Sequence, residues 1–282
     1  MTAVDVFSNE FRDHMMVGGM PAAVQAFTEG NGFTGSDRAL DTLLRSLRDD
    51  VMHRGEQNGG RRALDCLDSL PAQLSRANKR FMYSDVEKGG SRGSARRFSR
   101  SIGWLERTGY VNAVRAVDDL KGPLDGNLVP GMFRLYAPDT GMLVRMCPDT
   151  AGIRNALADW DLSYRMGMVA ENIVAECLVK SGFTPYYYRR TNGEGRLELD
   201  FVLENRGRIV AIEVETGKKR EAPSLDVVDR RFEVDRKIVF GSSNTYVDDR
   251  GVEHYPLFAA AFMDSIEPQV KIKKEKIGEI EG

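Results

Sequence analysis

Residues 197–216 read LELDFVLENRGRIVAIEVET, and this stretch decides the fold. Acids alternate with apolar residues in Glu198-Leu199-Asp200-Phe201-Val202 and again in Ile212-Glu213-Val214-Glu215. Successive side chains of a strand point to opposite faces, so Glu198 and Asp200 share one face and Glu213 and Glu215 share a face of the next strand. Asn205-Arg206-Gly207 between them is a hairpin turn signal. If the two strands pair in that hairpin, three or four carboxylates converge. Clustered carboxylates repel one another unless a cation lies between them. Hard oxygen ligands suit Mg²⁺, with Mn²⁺ as the alternative, and such a metal supports phosphodiester cleavage. The plain alternative is a solvated strand face, with acids merely alternating with buried Leu, Phe, Val and Ile.

Outward from this hairpin the texture stays mixed. TPYYYRR precedes it as a third β-rich run, and a helix spans Tyr164–Lys180, carrying Glu171. After it come a helix near Leu225–Phe232, the apolar strand RKIVFG, the run PLFAAAFM and a charged tail, KIKKEKIGEIEG. Upstream, FRLYA reads as a strand, followed by a turn capped by Asp139. Residues 126–270 therefore form an α/β domain with a mixed central sheet flanked by helices, and 271–282 a tail.

The first part of the chain is helical. Leu40, Leu43, Leu44, Leu47 and Val51 make one apolar stripe, with Ser36 or Asp37 as N-cap and the Gly-rich EGNGFTGSD as a loop before it. A second helix carries Ala63, Leu64, Leu67 and Leu70 and ends near Pro71. A third, from about Ser91 to Thr108, sets Ala95, Phe98, Ile102 and Leu105 opposite Arg92, Arg96, Arg97 and Arg100. Gly109 stops it, and YVNAVRAV alternates like a strand. Helix, turn, helix and β-ribbon is the order of a winged-helix unit, expected over 58–125 after a helical segment over 1–57. The aromatic triplet Tyr186–Tyr188 and Trp104 read as packing.

Charge distribution points the same way. Arg76–Arg115 holds ten Lys/Arg against three Asp/Glu, a local +7 that leaves −9 for the rest of a chain whose net charge is −2. Arg92, Arg96, Arg97 and Arg100 are the expected phosphate contacts, DNA before RNA; the alternative is a solvated face or one docked on acidic surface of the same chain. The three cysteines have no CxxC spacing and read as reduced thiols of a cytoplasmic protein. No secretory signal or membrane span is visible. No GxxxxGK[ST] occurs: Thr216-Gly217-Lys218-Lys219 lacks the first Gly and the Ser/Thr, so no ATP site is expected.

An ordered series of segments resembles a known family: FRDHMMVGGMPAAVQAF, LRSLRDDV, SLPAQLSRANKRFMYSDVE, IGWLERTGYV, FRLYAPDTGML, MVAENIVAECL, YYYRR, ELDFVLENRGRIVAIEVETG and SLD. Together they are similar to the C-terminal region of prokaryotic AAA-type ATPases, the part called domain of unknown function 4143, over nearly the whole chain. The resemblance implies a restriction-endonuclease-like PD-(D/E)xK fold. It implies Asp200 and Glu213 as metal-binding catalytic acids and Glu171 as a further metal ligand. Glu215 stands where that family usually carries lysine and is expected as a third catalytic residue, adding a ligand or taking over the lysine's role, with Lys218 or Lys219 as alternative cations. Val17-Gly18-Gly19-Met20-Pro21 resembles the tail of the ATPase lid, so the chain reads as a natural or experimental truncation, a split gene product or a fragment, with an ATPase domain in trans as a candidate partner. The expected function is a metal-dependent nuclease-like module; the alternative is a catalytically silent module that binds a partner protein or the ATPase domain.

Overall fold

The computed structural model describes residues 3–54, 59–86, 95–158, 164–190, 197–215, 223–242 and 244–266. The helical region comprises α1 (Ala3–Val17), α2 (Pro21–Ala26), α3 (Gly32–Arg54), α4 (Gly60–Asp68), α5 (Leu70–Leu74) and α6 (Ala95–Arg107). The stripe on α3 forms as read, with Leu40, Leu44 and Val51 buried. The Gly-rich stretch before it is not a loop. A π-helical turn over Phe27–Asn31, kinked at Gly30 (φ 90°), leads straight into α3, so Ser36 lies inside the helix and is buried rather than capping it. Glycine makes this passage possible because its backbone enters the left-handed region at little cost.

Strand β1 (Asn112–Val117) and strand β2 (Leu128–Tyr136) follow, then α7 (Thr140–Met146), α8 (Thr150–Ala158) and α9 (Tyr164–Lys180). Asp139 caps α7, its carboxylate accepting from Met142 N at 2.8 Å and Gly19 N at 2.7 Å. The rest is β3 (Tyr186–Arg190), β4 (Leu197–Asn205), β5 (Arg208–Val214), α10 (Pro223–Arg231), β6 (Arg236–Gly241), β7 (Tyr246–Val247) and β8 (Glu253–Pro256). The predicted hairpin turn is present, with Arg206 and Gly207 both at positive φ (53° and 74°) between the paired Asn205 and Arg208.

All eight described strands belong to one mixed sheet in the order β2-β1-β3-β4-β5-β6-β8-β7. This changes the expected organisation. The ribbon read as the wing is not a separate unit, because β1 pairs with β2 on one side and runs parallel to β3 on the other. The boundary expected at 125/126 thus falls between two paired strands. One core runs from Met15 through Leu67, Phe98 and Leu135 to α9 and to Phe201, Ile212 and Phe240. A second, on the opposite face of the sheet, joins Leu225 and Val228 of α10 to Leu199, Val202, Ala211 and Val239. Strands covered on both faces read as continuous apolar runs, and β5 and β6 do.

Candidate active site

The acids of the quoted stretch meet where β4 and β5 part. Strand β4 pairs with β3 in register until a bulge: Tyr188 faces Leu199, but Tyr186 faces Val202, so Asp200 and Phe201 together oppose Tyr187. A bulge adds a residue and re-aims side chains, and here it brings Asp200 and Phe201 toward the α9 side. On the other edge of β4 the register with β5 begins at Phe201 and Ile212. Beyond it the Asp200 carboxylate takes over the ladder's work, Oδ2 accepting from Val214 N at 2.9 Å. Simple alternation missed this bulge.

Glu213 arrives from the other direction. By phase along β5 it sides with Ile209 and Ala211, in the core under α10, while Val210, Ile212 and Val214 face α9. Its carboxyl nevertheless lies against that of Asp200, with Ser224 of α10 beside it. Its Oε1 is shielded from solvent and makes no hydrogen bond. Burial pushes this carboxyl well above the ordinary range, and the charges of Asp200 and Glu171 push the same way, while Ser224 opposes them. Glu171, on α9, is 5% exposed and reaches the same place. Burial first, and then Asp200, raise its pKa to about 7 against the pull of Lys79 and Arg134.

Two cations absent from the sequence reading hold the cluster together. Lys79, in the segment between α5 and the buried Phe81, hydrogen-bonds Glu171 Oε1. Burial works against its charge, but Glu171 and Asp200 outweigh that, and its pKa rises. Arg134 of β2 is 1% exposed. Its Nη2 donates to Glu198 Oε1 at 2.5 Å, and its Nη1 lies 3.8 Å from Asp200 Oδ1 and 3.9 Å from Glu171 Oε2. The guanidinium also stacks over the Tyr187 ring, 4.3 Å from its centroid, so the triplet tyrosine read as packing is a cation–π partner. Tyr136 donates to Glu171 Oε2 at 3.4 Å, and Arg189 lies 3.5 Å from Glu198 Oε2. The signal for Arg134 was present: an arginine inside the apolar strand MFRLY must have a buried anion.

The structure therefore unites Glu171, Asp200 and Glu213. Glu215 sits just past β5, its amide donating to Phe240 O at 2.8 Å and its side chain packed on Gly241 of β6. Among the described residues no group of three His, Cys, Asp or Glu side chains stands ready to hold a metal ion. Arg96, Arg97 and Arg100 are exposed along α6, opposite the buried Phe98, Ile102 and Leu105; Arg92, Lys218 and Lys219 lie outside the described residues.

These features define a mixed α/β protein with a helical N-terminal region and a carboxylate–cation cluster at a strand divergence. Residues 8–156 match the family described as Domain of unknown function (DUF8612), more than half of the chain, and the chain belongs to that family. Residues 166–258 match a second description, Domain of unknown function (DUF4143). That resemblance thus covers the C-terminal segment and not nearly the whole chain. No curated protein and no solved structure matches. The site draws on both matched segments, Lys79 and Arg134 from the first and Glu171, Asp200 and Glu213 from the second. No described helix is long and apolar enough to cross a membrane.

Proposed function

We propose that the chain is a metal-dependent, nuclease-like module of the PD-(D/E)xK type, acting on nucleic acid, DNA before RNA, in concert with an AAA-type ATPase domain. The observation that carries this is the contact between Asp200 and Glu213, two acids shielded together where the strands part. Such a pair is stable only with a shared proton or a cation between the carboxyls. The unpartnered Glu213 Oε1 fits the second option. Asp200 and Glu213, with Glu171 behind them, would hold Mg²⁺ or Mn²⁺. A divalent ion there supplies Lewis-acid activation of water and charge neutralisation at a phosphodiester. Around it, the Val214 amide fixes Asp200, Lys79 and Tyr136 fix Glu171, and Arg134 fixes Glu198. The exposed arginines of α6 supply the sequence-independent attraction for phosphates.

A specific observation favours the second reading, a catalytically silent binding module. Lys79 and Arg134 already compensate the acids from within the chain. Plasmid and single-strand cleavage with Mg²⁺ or Mn²⁺, wild type against Asp200→Ala, separates the two. The nuclease reading expects metal-dependent cleavage that the substitution abolishes. It also expects metal to stabilise the wild-type fold by about 2.7 kcal/mol at a hundredfold excess over Kd. Absence of both leaves the silent module.

A further inference from the structure

We propose that Lys79, carried by the segment Arg76–Arg80, is the cationic group that meets the phosphodiester at this site. The inference rests on the nuclease reading and deepens it: a carboxylate site for phosphoryl chemistry needs a cation facing the developing charge, and Glu215 is an acid. Its placement is not accidental. The segment is tied at its end by Phe81 N, which donates to Phe133 O at 2.8 Å, next door to Arg134. Asn78 accepts from Arg189 Nη1, and Lys79 reaches Glu171. Lys79 thus reaches the acids, while Asn78 beside it engages Arg189.

A second observation points to a ligand at the same place. Arg134, almost wholly buried, aims Nη1 between Asp200 and Glu171, yet Nη1 makes no hydrogen bond. Buried donors are nearly always satisfied. A phosphate oxygen reaching this point would meet Lys79 on one side and Arg134 Nη1 on the other. Lysine acts there as a point charge with three donors that rotate freely from Glu171 to an incoming oxyanion. The lysine comes from the DUF8612 segment and the acids it faces from the DUF4143 segment.

The test compares wild type, Lys79→Gln, Lys79→Arg and Asp200→Ala in the full chain. Three readouts are used: Mn²⁺-dependent plasmid cleavage, the Mn²⁺-induced rise in Tm, and binding of a short labelled duplex without metal across a salt series. Lys79→Gln should lower kcat and kcat/KM together by about 100-fold. It should keep the Mn²⁺-induced rise in Tm that Asp200→Ala loses, and Lys79→Arg should restore part of the cleavage. Cleavage by Lys79→Gln at the wild-type rate overturns the proposal. So does loss of the Mn²⁺ response equal to that of Asp200→Ala, which would make Lys79 only a counter-ion of Glu171. If wild type cleaves nothing, the nuclease reading fails and duplex binding decides about Lys79. The log–log salt slope should then flatten by about 0.9 in Lys79→Gln, and an unchanged slope overturns the proposal.

Discussion

Replacing Arg134 by methionine should expose how the acid cluster is held. Methionine keeps an unbranched stem of comparable reach and removes the charge. The guanidinium lies 2.5 Å from Glu198, 3.8 Å from Asp200 and 3.9 Å from Glu171. At an effective dielectric of about 20, each contact carries about 4 to 7 kcal/mol of Coulomb attraction. Most of that offsets the cost of taking these charges out of water, so the measurable quantity is smaller. Removing one partner of a buried ion pair costs about 3–5 kcal/mol, because the other charge stays buried. The loss should depend on pH. At pH 8 Glu171, whose pKa is about 7, is ionised and loses its counter-charge; toward pH 5 it takes up a proton and the penalty shrinks. The assay is urea unfolding of wild type and Arg134→Met at both pH values. A loss of about 4 kcal/mol at pH 8 corresponds to a Tm drop of about 7 °C for a chain of this size. A loss under about 1 kcal/mol at pH 8, or an equal loss at pH 5 and pH 8, would refute the assignment of Arg134 as the cluster's counter-charge.

Glu171 makes a linked prediction. Its folded pKa of about 7 lies above the ordinary 4.5, so folding favours the protonated form. That contribution is fully present below pH 4.5 and is lost as pH rises through 7, about 3 kcal/mol in all. The difference in unfolding free energy between wild type and Glu171→Gln, measured without metal, should fall across this window; a flat difference contradicts the shift. On the surface, substituting Arg96, Arg97 and Arg100 together by Gln should flatten the salt dependence of duplex binding by about 2.7 log–log units. A slope that stays put would make α6 a solvated or docking face.

Local pattern was enough for much of the architecture. The α9 helix, the β4–β5 hairpin with its Arg206–Gly207 turn, the Asp139 cap and the apolar faces of α3 and α6 are short-range matters, set by periodicity and turn chemistry. The same logic failed at EGNGFTGSD, where tight packing around Gly35 and the Phe27–Phe33 ring contact (5.1 Å) override a turn-rich composition. It failed again at the ribbon β1–β2, since alternation shows that a strand exists but not which strand it joins.

By itself the sequence determined the residue types and the strand or helix settings of Asp200, Glu213 and Glu171, and in the fold the three reach one place. What only the tertiary structure decided was their charge balance. Lys79 and Arg134 are far from those acids in sequence and carry no motif, and they meet them because β2 and the Arg76–Arg80 segment close over the divergence of β4 and β5. The Asp200 bulge is likewise a product of the sheet, since an extra residue has meaning only against the partner strand that lacks it. Burial makes those contacts decisive: Coulomb interactions between groups so distant along the chain become strong only once folding has brought them together and taken them out of water.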